Sequence, residues 1–198
     1  MIRYTVSMLF LLFHSGLFSQ QPNNASLLEI DSSWSRETFF FPINFAPEIN
    51  YKGMEEAVFP PGWGRKDSAD FWSYAFAWKI DHPATLTKNE LENNLKVYFE
   101  GLMKSVSNGD KEAIAYHTTA HFFKKEDVKG ISRHTGNVYV FDAFFTKKPL
   151  TLNVLVEQHH CVQQQRSIVF FRLSPKAFEH EVWVKLNGLK LRVSSCDN

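Results

Sequence analysis

The sequence predicts an α+β fold, in which an antiparallel β-sheet of about six or seven strands packs against one long helix and a short C-terminal helix. Three observations carry this expectation. Several runs alternate apolar and polar residues with period two, as half-buried strands do. One segment near the middle of the chain instead repeats its apolar residues every three to four positions, as an amphipathic helix does. Two pairs of strand-like runs are joined by short turn sequences, which favours antiparallel neighbours.

Residues 34–41 (WSRETFFF) read as a strand, and Pro42 and Pro47 interrupt the residues after it. Residues 54–59 form a second short strand, closed by Pro60-Pro61-Gly62. A strand over residues 71–80 (FWSYAFAWKI) comes next, stopped by Asp81-His82-Pro83. Its even positions, Trp72, Tyr74, Phe76, Trp78 and Ile80, make one bulky face suited to a core. Its other face is mostly small, and Ser73, Ala75 and Ala77 either admit a helix closely or floor a shallow groove.

Thr87-Lys88-Asn89-Glu90 is a capping-box pattern, so a helix is expected from there to Asn108. Leu91, Leu95, Tyr98, Phe99, Leu102, Met103 and Val106 form its apolar stripe, and Gly109 is the stop. Four further strands are expected over residues 113–123, 137–146, 150–158 and 166–173, with hairpins around residues 146–149 and 161–165. A second helix is expected over residues 179–189, with Trp183 anchoring it to the core. A strand over residues 183–191 is the alternative, because Gly188 weakens a helix.

A chain of 198 residues suits one core, and 44% apolar with 22% charged residues is an ordinary globular balance. Lys and Arg total 22 against 21 for Asp and Glu. No long-range field steers such a chain to nucleic acid or to an anionic membrane, and neither partner is expected.

MIRYTVSMLFLLFHSGLFSQQ places Arg3 before an apolar run and small or polar residues after it, the pattern of a secretory signal peptide. Residues 1–20 are read as that signal, residues 21–33 as a flexible leader and residues 34–198 as a single domain. Its apolar run is too short to cross a bilayer core of about 30 Å as a helix. No integral membrane segment is expected after cleavage, and the mature chain is expected to be secreted or periplasmic. In an oxidising compartment the two cysteines, Cys161 and Cys196, favour a disulfide. Closing a loop of roughly 35 residues would contribute about 3 to 4 kcal/mol in the chain-entropy model.

The order strands, long helix, four antiparallel strands, short helix, after a signal peptide and the opening ETFFFPINFAP, resembles PsbP-like exported domains. In that group an antiparallel sheet is sandwiched between helices. The resemblance implies an accessory or binding role and transfers no site residue. The chain departs from the lipoproteins of that group by having no cysteine near the cleavage region. An NTF2-like α+β cone is the alternative layout.

Candidate chemistry is sparse. His117 and His121 would stand one turn apart on a helix and could chelate a metal, but their neighbours are strand formers, and on a strand they lie about 13 Å apart. A third ligand would have to come from His134, His159 or His160. Asp142 alternates with Val138, Val140 and Phe144, so a core position would demand a partner such as Arg172 or a histidine. Motifs of the GxSxG kind, phosphate-cradling glycine loops and CxxC pairs are absent from the sequence. Trp63, in the PPGW loop outside the alternation, is the aromatic residue best placed to touch a ligand or partner. The reading is a non-enzymatic exported domain that binds a protein partner or a small apolar ligand, with no cofactor. The competing reading is a metal-assisted hydrolase or an acid/base pocket enzyme using His117, His121, His159 or Asp142.

Overall fold

The computed structural model describes residues 26–192. In chain order its elements are β1 (Leu28–Glu29), β2 (Ser35–Phe40), β3 (Gly53–Phe59), β4 (Tyr74–Asp81), α1 (Lys88–Val106), α2 (Lys111–Ala115), β5 (Thr119–Lys124), β6 (Ser132–Phe141), β7 (Pro149–Cys161), β8 (Arg166–Ser174), α3 (Val182–Gly188) and β9 (Lys190–Leu191). Seven strands form one antiparallel sheet in the order β2-β3-β4-β8-β7-β6-β5, and β1 pairs with β9 as a separate ribbon. The expected α+β layout, with one long helix and a short C-terminal one, is present. No helix among the described residues is long and apolar enough to cross a membrane.

The two faces of the sheet carry separate cores. Tyr74, Phe76, Trp78 and Ile80 of β4 pack with Leu91, Leu95 and Phe99 of α1, so the bulky face of the aromatic strand is core, as its alternation predicts. On the opposite face Ala75 and Ala77 pack with Val182, Trp183 and Leu186 of α3. Because both faces are covered, β8 is buried along nearly its whole length and loses the alternation of a half-exposed strand. The outer strand β2 is instead mostly exposed.

α1 begins where the capping box places it. Glu90 N–H donates to Thr87 Oγ1 at 3.3 Å, and Thr87 N–H donates to Glu90 Oε2 at 2.7 Å. Gly101, in its second half, lets the loop after β2 approach: a Cβ there would lie 1.8 Å from the Phe45 carbonyl oxygen. At the far edge of the sheet, Glu92 of α1 accepts the Phe122 amide of β5 at 2.8 Å, which occupies one open edge donor.

Four expectations are corrected. Residues 113–123 are not one strand, because the Asp110 carboxylate accepts the Glu112 and Ala113 amides and starts α2 instead. The strand expected over 137–146 begins earlier and ends at Phe141, where Asp142 folds the following residues into a turn. The C-terminal helix begins at Val182 rather than Glu179, and the chain after it pairs with β1. The leader is not loose up to Ser33: Leu27 and Leu28 are buried against Ala75, Trp183 and their neighbours. Glu56 explains the ordering, since its carboxylate accepts the Leu27 and Leu28 amides at 3.0 Å each and lies 3.2 Å from Arg36 Nε.

Candidate functional site

Near β2, the α1 face of the sheet is left partly uncovered. β2 and β3 run with Ser35 opposite Phe59 and Glu37 opposite Ala57, so these four residues face the same side. β4 adds Tyr74, and the second half of α1 adds Tyr98 and Leu102. The far wall comes from two loops, with Trp63 and Trp72 from the β3–β4 connection and Phe144 from the β6–β7 connection. Together they enclose a cavity of about 420 Å³, half of whose lining residues are aromatic. Glu37 is the only charged residue lining it among the described residues.

The β3–β4 connection is shaped for this wall. Turn bonds from Trp63 N–H to the Pro60 carbonyl and from Arg65 N–H to the Gly62 carbonyl curl it, and Trp72 N–H donates to the Trp63 carbonyl at 3.0 Å. Trp72 itself has φ 54°, a left-handed conformation that a bulky residue adopts only where its surroundings hold it there, at a cost of about 1 to 3 kcal/mol. The conformation sets the Trp72 ring 5.8 Å from Trp63 and 6.3 Å from Tyr74. The Trp63 and Trp72 indole N–H groups are buried, with no hydrogen-bond acceptor among the described residues. Their surroundings are aromatic, and an N–H against a ring face is the partner such surroundings offer.

Beneath the cavity lies a buried carboxylate. Glu55, 0% exposed, accepts the Trp78 indole N–H at 2.7 Å and the Tyr98 hydroxyl at 2.8 Å. Burial pushes its pKa up to about 7, opposed by these two hydrogen bonds and reinforced by the charge of Glu37. Tyr74 and Tyr98 are likewise pushed well above their ordinary value, first by burial and then by the Glu55 charge. Tyr98 therefore links the cavity wall to a carboxyl that changes protonation near neutral pH.

Of the residues singled out in the sequence, Trp63 stands in this wall, half-buried. Ser73, Ala75 and Ala77 are fully buried and present no surface to a ligand: Ser73 pairs with Ser174 through their hydroxyls at 2.7 Å, and the alanines lie beneath α3. The small face admits a helix rather than flooring a groove. His117 and His121 are exposed and border a shallow groove with Glu92 and Lys96 between α1 and β5. Asp142 is not with them. It accepts the Phe144, Phe145 and Thr146 amides and the Thr146 hydroxyl at 2.7 to 3.1 Å, while Arg172 pairs with Glu157 at 3.0 Å. Asp142 thus shapes the loop that carries Phe144 to the cavity. His159 is half-buried on β7, its pKa held down by burial. Among the described residues no group of three or more His, Cys, Asp or Glu side chains converges as a metal site requires. Cys161 is buried at the end of β7, and Cys196 lies outside the described residues.

Sequence reasoning misses Glu37, and it finds Glu55 only as a carboxylate near aromatic segments, without placing it in a site. The available signal was the alternation in EEAVF, which puts Glu55, Ala57 and Phe59 on one face and Glu56 on the other. Comparison of the chain with protein-family models, with curated proteins and with solved structures gives no match in any of the three.

Proposed function

We propose that this chain is an exported, non-enzymatic binding domain whose site is the aromatic cavity, taking a small and largely apolar ligand without a cofactor. The cavity itself carries the reading: about 420 Å³ of space walled by Phe59, Trp63, Trp72, Tyr74, Tyr98 and Phe144 suits a compact organic molecule. A ligand that hides about 200 Å² of apolar surface there gains about 5 kcal/mol gross, from which the cost of immobilising it is subtracted. His117 and His121 share a groove that neither His159 nor Asp142 lines, and among the described residues no three His, Cys, Asp or Glu side chains converge as a metal site requires, which supports binding over metal-assisted catalysis.

The test is ligand-observed NMR on the purified chain with a panel of small neutral aromatic alcohols, benzyl alcohol first. Saturation transfer to the probe is expected, and it should vanish in a folded Trp63→Ala variant. Transfer that is unchanged by Trp63→Ala would contradict the assignment of the site, and absence of transfer across the panel would contradict the reading itself.

A further inference from the structure

Three rings of the cavity wall meet at steep angles rather than as a stack. Trp63 and Trp72 are inclined by 60°, Trp63 and Tyr74 by 79°, and Trp72 and Tyr74 by 57°, with centroids 5.8 to 6.3 Å apart. Trp72 and Tyr74 are only 1% and 3% exposed and back Trp63, so the half-buried Phe59, Trp63 and Phe144 rings offer the cavity its aromatic surface, and each ring face is the negative part of its quadrupole.

The charged groups have the same sign. Glu37 is exposed at the cavity, and no ion pair or hydrogen bond reaches its carboxylate from the described residues. Its neighbour Arg36 points to the opposite face of β2, where Glu56 holds it at 3.2 Å. No Lys or Arg lines the cavity among the described residues. The buried indole nitrogens of Trp63 and Trp72 offer no donor to an anion in the open space. Behind the Tyr98 wall lies a second carboxyl, Glu55. An anion would meet ring faces and a carboxylate there, and an inorganic cation would lose its water without gaining a shell of oxygen ligands.

We propose that the ligand is an organic ammonium ion, a quaternary or alkylated amine with an apolar body, its charged head held between the aromatic lining of the cavity, Phe59, Trp63 and Phe144, and the Glu37 carboxylate. The proposal rests on the preceding reading of the cavity as a ligand site and specifies the class of ligand. An alkylated ammonium suits this lining because its charge is spread over methyl or methylene groups that pack against rings and hold water weakly.

The experiment compares two probes of one shape by calorimetric titration of the purified chain. One is benzyldimethyl(hydroxyethyl)ammonium, and the other is the neutral alcohol in which a carbon atom replaces its nitrogen. The cation is expected to bind at least about tenfold more tightly. Glu37→Gln, at an exposed position where folding is little affected, is expected to weaken the cation by about fivefold and leave the alcohol unchanged. Trp63→Ala is expected to weaken both. Equal or tighter binding of the alcohol, lost in Trp63→Ala, overturns the ammonium assignment while leaving the cavity as a ligand site. A cation preference that survives Glu37→Gln in full overturns the role of Glu37. Binding of neither probe, together with no saturation transfer to benzyl alcohol, overturns the ammonium assignment and the cavity reading together.

Discussion

Replacing Glu55 by Gln should flatten the dependence of folding stability on pH. Glu55 is fully buried and its folded pKa is raised from the ordinary 4.5 to about 7, so the folded state holds a proton that the unfolded state has released. The resulting penalty is absent below the unfolded value, grows as pH rises from 4.5, and is complete once pH passes the folded value. A shift of this size corresponds to about 3 kcal/mol in all, most of which develops between about pH 5 and pH 8. Gln keeps the local geometry: its carbonyl oxygen accepts the Trp78 indole N–H, and its amide donates to the Tyr98 hydroxyl, which accepts as well as donates. Urea unfolding of both proteins at about pH 5 and about pH 8 measures the effect. The native protein should lose about 2 to 3 kcal/mol more than Glu55→Gln across that interval. Parallel curves for the two would refute the argument that burial raises Glu55.

Asp142→Ala leaves three amides and a hydroxyl of the β6–β7 connection without their shared acceptor, and a loss of about 2 to 4 kcal/mol in chemical unfolding is expected. Because that loop carries Phe144 into the cavity wall, the same variant should weaken benzyl alcohol binding while Asp142→Asn weakens it less. Ala77→Leu overfills the space beneath α3, costing about 1 to 3 kcal/mol, with lowered hydrogen-exchange protection in α3 as the local readout. Thiol titration of the unfolded, unreduced chain should find no free thiol if Cys161 and Cys196 are bridged, and two free thiols would contradict the bridge.

Local chemistry was readable wherever it agreed with the packing. Thr87 and Glu90 announce α1, and the alternation of Tyr74, Phe76 and Trp78 with Ala75 and Ala77 sorts β4 onto its two cores. Two of the misreadings fall at Asp110 and Asp142, where a short carboxylate takes nearby backbone amides and outcompetes the strand preference of the residues around it. Glu55 and Glu56 show a different limit. Adjacent in sequence, they are buried on opposite faces, one against Trp78 and Tyr98 and the other against Arg36 and the Leu27 and Leu28 amides. Only the tertiary partners distinguish them. Trp63 stands out by its place outside the alternation, but the rest of the cavity comes from β2, β3, β4, α1 and the β6–β7 connection, whose meeting no linear spacing encodes.

The chain contains five tryptophans, and their indole N–H resonances form a map of where a ligand sits. Trp63 and Trp72 line the cavity, Trp78 lies beneath it on Glu55, and Trp34 and Trp183 belong to the core under α3. Titrating the labelled chain with benzyl alcohol and following these five signals locates the binding site directly. Ligand in the aromatic cavity moves Trp63 and Trp72 and leaves Trp34 and Trp183 in place. Movement of Trp34 or Trp183 with Trp63 and Trp72 unmoved would put the ligand elsewhere and remove the cavity as the site.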